Sequence, residues 1–443
     1  MDGKSATWKE NFEKAWTRIL GHGKARILTN GIFLLFALYL LSLAFYGDAS
    51  RFNLLFFSAG LLTVWLERID PHPEGSRNFR RLFFYALIFF ALIHVTSLFG
   101  AIDLPGMELS RRNNNNFYGI VIALTLGMGL RDRRSIHRLL RLMLVFLGGW
   151  SIFELFSLSP EASFVGGRFI GIRHVNPNTI AKVLVIMFSV FICYAFIAKG
   201  RKIVGLMLCG LAATTLLLLL TQSRSSLLTA TFVTVPVALI TQKRLLNFQK
   251  RLIPACLVFF LIAPLLAFNW YSHADPGRKS FKTAVIRFNT WQTSLDMATR
   301  EPWYRFYIGY GSIKDVNEIL TEHFGLDSHR GHSHNIFLQT LLETGMLGLM
   351  TLIFIFGITL HGVYREWKVN QQASGDHSPV FITTIATILI VGQMDHVMNS
   401  LSGKLVWIIL GLALAYGKLG IQESAGKNSV QERHTLLAPT GSS

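Results

Sequence analysis

Apolar and polar positions alternate along this chain in long blocks, and the length of the apolar blocks is what sets the fold. Runs begin near Ile27, Phe52, Leu82, Phe117, Leu139, Thr179, Ile203, Ser226, Leu252, Asn335, Val380 and Leu405. Crossing a hydrocarbon core of about 30 Å takes about 20 residues in a helix. The pattern therefore predicts an all-α integral membrane protein with about twelve transmembrane helices. Phe52 to Leu66 and Phe117 to Leu130 are short for a full span, so these two are tilted or interfacial pieces.

The polar blocks divide the chain into segments. Residues 1–26 carry Trp8, Phe12, Trp16 and Ile19 at helical spacing among Lys9, Lys14 and Arg18. This spacing predicts a cytoplasmic amphipathic segment on the membrane surface, or an ordinary helical extension, and no cleavable signal peptide. Residues 27–269 hold nine helices, 270–333 a periplasmic loop, and 334–420 the last three helices. Residues 421–443 form a polar tail without pattern, expected to be disordered and cytoplasmic. Within the loop, Val285, Phe288, Trp291, Leu295 and Met297/Ala298 recur at helical spacing, predicting an amphipathic helix laid against the bundle.

Composition agrees, with 443 residues, 51% hydrophobic and only 15% charged. The net charge of +18 raises the question of nucleic acid. Its distribution answers it: Arg77, Arg80 and Arg81, then Arg131, Arg133, Arg134 and Arg138, then Lys199, Arg201 and Lys202, then Lys243, Arg244, Lys250 and Arg251 fall on alternate loops. These are cytoplasmic loops under the positive-inside rule, with both termini inside, and the charge is a topology signal plus attraction to anionic lipid. Cys193, Cys209 and Cys256 lie in apolar runs without paired spacing and read as core residues.

Cations on the opposite loops run against the topology signal, and apart from Lys404 they are arginines: Arg51, Arg111, Arg112, Arg168, Arg173 and Arg224, with Arg287 in the long loop. A guanidinium grips two phosphate oxygens at once, so an arginine cluster there points to a phosphate or diphosphate ligand. A snorkelling or headgroup-contacting role is the alternative for each. Arg224 follows Thr221-Gln222-Ser223 at a helix junction, which buries charge among small hydroxyls. Arg168 and Arg173 lie in a glycine-containing stretch, read as a flexible loop running into a helix N-terminus, an end that favours anions.

His323, His329, His332 and His334 crowd the end of the long loop. No cysteine and no HExxH pair accompany them, and Asp-x-Asp is missing, so no metal and no cofactor is expected. His334-Asn335 is followed by nine residues and then Gly345-Met346-Leu347-Gly348. The glycines favour close helix packing, which fixes the helix that starts beside His334. His332 and Asp395, the latter next to His396, are supporting candidates: Asp395 orients a histidine, balances an arginine, or marks a helix end.

These residues resemble the O-antigen ligase family, whose pattern is His-[Asn/Ser/Gln], nine residues, Gly-x-x-Gly in or beside a large periplasmic loop. The order of features is similar across nearly the whole membrane region, including the Thr-Gln-Ser-Arg turn at Arg224 and an Arg-then-Trp element at Arg287/Trp291. The resemblance implies a GT-C-like glycosyltransferase of the Gram-negative inner membrane with its active site on the periplasmic face. It would move polysaccharide from undecaprenyl diphosphate to a hydroxyl of lipid A-core oligosaccharide. His334 is then the base, and Arg224, Arg287, Arg168 and Arg173 receive the diphosphate. Inversion follows, since no second carboxylate is positioned as a nucleophile. O-antigen polymerases and protein O-oligosaccharyltransferases share versions of the motif; a transporter or lipid-carrier flippase is the reading from another class.

Overall fold

The computed structural model describes residues 26–42, 53–69, 74–99, 111–158, 164–165, 168–169, 177–198, 200–241, 280–299, 303–311, 333–370, 376–394, 398 and 402–419. Thirteen helices lie among them. They are α1 (Arg26–Ser42), α2 (Asn53–Ile69), α3 (Glu74–Phe99), α4 (Arg111–Gly129), α5 (Arg133–Phe156), α6 (Pro177–Ile197) and α7 (Arg201–Leu220). Then come α8 (Arg224–Thr241), α9 (Ser280–Thr299), α10 (Tyr304–Ile308), α11 (Ile336–Val369), α12 (Ser378–Met394) and α13 (Ser402–Leu419). Helices occupy eleven of the apolar runs, and the run near Leu252 lies outside the described residues, as do residues 1–25 and 420–443.

Five helices, within α5, α6, α7, α11 and α13, are long and apolar enough to cross a membrane, and five more apolar helices are shorter. The chain is thus an α-helical membrane protein. Its side walls expose Leu54, Leu61, Leu92, Leu206, Phe232 and Phe354, a lining that suits lipid and not water. At the centre are α6 and α13, buried along nearly their whole lengths, as helices apolar on every face must be. One departure from an all-helical chain is a two-residue antiparallel ladder, β1 (Phe164–Val165) against β2 (Arg168–Phe169).

Side-chain contacts establish which helix ends lie together. Cys193, late in α6, faces Thr383 and Pro379 at the start of α12, so these two helices run antiparallel. The start of α12 is tied to neighbouring ends: His377 Nε2 lies 3.1 Å from Tyr194 Oη, the His377 N–H donates to Tyr416 Oη at 2.9 Å, and that hydroxyl donates to Asp376 Oδ1 at 2.9 Å. The His137 ring stacks on His377, Arg133 pairs with Glu366, and Lys418 Nζ caps the C-terminus of α4 through the Gly127 and Leu130 carbonyls. Part of the arginine read as a topology signal therefore also ties helix ends together. The cysteines divide: Cys193 is buried, Cys209 is on an exposed face, which corrects its reading as a core residue, and Cys256 lies outside the described residues.

At the opposite end of the bundle, α5 finishes, α6 begins, α7 turns into α8, α12 finishes and α13 begins. That end carries Arg224, His334 and Asn335 of the candidate site.

Candidate active site

The turn before α11 is held by its own side chains. Asn335 is extended (φ −146°, ψ 126°), and its Oδ1 accepts from the Phe337 N–H at 2.8 Å and the Leu338 N–H at 3.2 Å. That is the geometry of a helix N-cap. Its Nδ2 donates to Gln393 Oε1 at 3.3 Å, which pins the turn to the end of α12. On the other side, the N–H of the fully buried Ser333 donates to Gln339 Oε1 at 3.2 Å, and Ser333 Oγ lies 3.2 Å from the same oxygen.

His334 sits between these two buried residues, itself only half-buried, with φ at +51°. A left-handed backbone on a residue with a Cβ costs of order 1–3 kcal/mol and persists only where neighbours enforce it. The other described non-glycine residue with positive φ is Gln222, at +53°, two residues before Arg224. Both departures fall in segments that the chemistry of the sequence had singled out.

Gly345 does something other than permit helix packing. Its φ of +67° breaks α11 into a nine-residue segment, 336–344, and a second stretch, 346–369, long enough to span a bilayer by itself. The break frees carbonyls that a continuous helix would use, and these are taken up by the loop: Tyr310 N–H donates to Leu342 O at 2.8 Å and Gly311 N–H to Glu343 O at 3.0 Å. Crossing this closely requires glycine on both chains. A Cβ on Gly345 would lie 2.2 Å from Tyr307 O, and one on Gly309, φ +76°, 2.5 Å from Glu343 C. Gly348 faces Thr344 across the break, with Ile93 of α3 beyond it.

Arg224 is the first residue of α8. The reversal that delivers it is built from buried hydroxyls: Thr221 Oγ1 donates to Leu218 O at 2.7 Å, Ser223 Oγ donates to Ser226 Oγ at 3.2 Å, and the Leu227 N–H closes on Ser223 O. The hydroxyls are buried, whereas Arg224 is half-buried, so its charge sits at the rim and not inside, as the sequence had implied. A helix N-terminus beside a guanidinium doubles the preference for an anion.

Arg168 stands in β2, paired with Val165, and the fully buried Phe169 anchors the ladder. The stretch read as a flexible loop thus contains a strand, Arg168–Phe169, laddered against Phe164–Val165 and fastened by the buried Phe169. Arg173, His332 and Asp395 lie outside the described residues.

Arg287 is on α9, which occupies the predicted helical stretch and packs by only part of the predicted face. Thr290, Thr293, Ser294, Met297 and Ala298 are buried, while Phe288 is 65% and Leu295 48% exposed. Small side chains let α9 lie close to α11, while Phe288 and Leu295 face outward. Its docking cluster joins Met297 and Ala298 to Tyr310, Leu341 and Leu342, with Tyr310 Oη donating to Met297 O at 2.8 Å. Ten residues upstream of Met297, Arg287 stands roughly 15 Å along the helix axis from that anchor.

Several groups at this end were not read from the sequence. Arg305 lies over the Tyr310 ring at 4.9 Å. Gln339, Glu343 and Gln393 form the polar support of the His334 turn. Glu154 and Lys182 are buried toward the same ends of α5 and α6, as is Lys404 of α13, noted in the sequence only as an exception to the charge rule. The missed signal was polar residues inside runs classified as apolar, since buried ionisable groups in membrane helices are functional candidates.

Residues 207–353 match the family model for O-antigen ligase. The match supports the resemblance drawn from the motif and, with it, a ligase- or polymerase-like role in bacterial glycan transfer. It contains Arg224, Arg287, His334, Asn335, Gly345 and Gly348, whereas Arg168, Arg173 and Asp395 fall outside it. No curated protein matches the sequence.

Proposed function

We propose that the protein is an inverting, metal-independent glycosyltransferase of the inner membrane that transfers O-antigen polysaccharide from undecaprenyl diphosphate to a hydroxyl of lipid A-core oligosaccharide. The observation that carries this reading is the His334 turn: a strained, half-buried imidazole enforced by buried neighbours, at the same end of the bundle as Arg224 and inside the family match. In this account His334 removes the proton of the acceptor hydroxyl, whose oxygen attacks the anomeric carbon. The bond to the carrier's phosphate oxygen breaks with inversion. The diphosphate leaves as an anion needing countercharge and no general acid. Arg224, Arg287, Arg168 and Arg173 supply that countercharge, each contact worth about 1.5–3 kcal/mol. Twelve spans in a GT-C-like arrangement, with this end periplasmic and both termini cytoplasmic, complete the proposal. Asn335, Gly345 and Gly348 hold the base-bearing turn; His332 lies beside it in sequence, and Asp395 follows Gln393, the partner of Asn335, by two residues.

Purified protein, carrier-linked donor and core acceptor provide the test. Transfer that survives chelator, and that His334→Ala and Arg224→Ala each reduce by at least about 100-fold, is the expected result. Normal turnover by His334→Ala overturns the assignment of the base. A deletion strain whose lipopolysaccharide carries a single repeat on its core, in place of bare core, reassigns the enzyme as a polymerase.

A further inference from the structure

We infer that Gln339 and Glu343, inside the nine-residue spacer of the motif, are positioning residues for His334. This inference rests on the reading of His334 as the base. The two side chains are one turn apart on the same helical face. Gln339 Nε2 donates to Glu343 Oε1 at 2.7 Å, and Gln339 Oε1 accepts from Ser333 N–H, so a continuous buried chain runs from Glu343 to the residue preceding His334. Glu343, Gln339 and Ser333 are 4%, 2% and 0% exposed.

Glu343 is tied twice. Its carboxylate orients the Gln339 amide, so that the amide oxygen points at Ser333, and its carbonyl accepts from Gly311 of the long loop. The helix break at Gly345 is what leaves that carbonyl available. The spacer thus joins three things: the break, the docking of residues 309–311, and the left-handed turn at His334. Without the Ser333 anchor, His334 would relax toward the ordinary backbone region, since its positive φ is unfavourable by itself. The imidazole would then leave its place, and a base works only within hydrogen-bond reach of the proton it takes.

The test uses the full-length protein with carrier-linked donor and core acceptor. Gln339→Leu keeps the volume and removes the hydrogen bonds to Ser333 and Glu343; kcat is expected to fall roughly tenfold or more, with donor KM unchanged within about twofold. Glu343→Gln retains an acceptor for Gln339 and stays within about threefold of wild type. Ser333→Ala added to Gln339→Leu costs less than the product of the two single losses, because the hydroxyl's bond to Gln339 is already gone and both act through one turn. Wild-type kcat in Gln339→Leu, or losses that multiply in the double variant, overturns the inference. Should Gln339→Leu fail to fold, the similarly sized Gln339→Met decides: kcat lowered roughly tenfold at constant KM supports the chain, and no change overturns it. Wild-type protein that makes no product ends both readings. Normal Gln339→Leu and Ser333→Ala beside a dead His334→Ala ends only this one.

Discussion

Arg224 and His334 differ in what their neighbours do for them. Around Arg224 the buried hydroxyls of Thr221, Ser223 and Ser226 fix the backbone and leave the guanidinium half-exposed at the start of α8. A charge so placed recognises by shape. Arg224→Lys keeps the charge and loses the two-pronged grip, so kcat/KM for the carrier-linked donor is expected to drop at least about tenfold, equivalent to about 1.4 kcal/mol. Donor kinetics in purified protein check this. Asn335 acts instead through the backbone of α11. Asn335→Ala removes the cap and is expected to lower stability by about 1 kcal/mol, while Asn335→Asp preserves it, as thermal unfolding in detergent will show. Arg224 and His334 were legible as candidates because charge and imidazole are conspicuous in apolar surroundings. Gln339 and Glu343 were not, since their partners lie along a fold that the spacing alone does not describe.

Among the elements, run length announced most helices, and side-chain size decided how they pack. Repeating apolar positions located α9 and its docking residues Met297 and Ala298, but not the small residues Thr290, Thr293 and Ser294 that share the buried side while Phe288 and Leu295 stay exposed. Accordingly, Phe288→Ser should leave stability unchanged, whereas Ala298→Leu should loosen α9 and expose residues 280–311 to protease; limited proteolysis distinguishes the two. The break in α11 was hidden for a related reason. Apolar periodicity continues from Leu341 and Leu342 through Met346 and Leu349, and only the contact with Tyr307 shows that Gly345 leaves the helical region. Gly345→Ala meets both a positive φ and a backbone oxygen, so a loss of about 1–3 kcal/mol is expected together with release of α10. The midpoint of thermal unfolding and the transfer rate should fall together.

At the scale of the whole molecule, the two ends of the bundle have different constructions. One is cross-tied by His137, Tyr194, His377, Tyr416 and the Arg133–Glu366 pair. The other is a rim of helix starts and turns bearing Arg224 and His334. The topology proposed from charge makes a prediction: cysteine placed at Asp132 should be labelled only from the cytoplasmic side, and cysteine at Ser157 only from the periplasmic side, in a background lacking the native cysteines. The reverse labelling would put the base beyond the reach of a periplasmic acceptor.

The measurement closest to the centre of this account is a structure with undecaprenyl diphosphate bound. The account predicts the diphosphate at the finishing end of α12, with Arg224 within hydrogen-bond distance of a phosphate oxygen and the His334 imidazole facing the vacated anomeric position. A carrier headgroup resting at the cross-tied end, or at the rim with Arg224 and His334 turned away from it, would contradict the proposal.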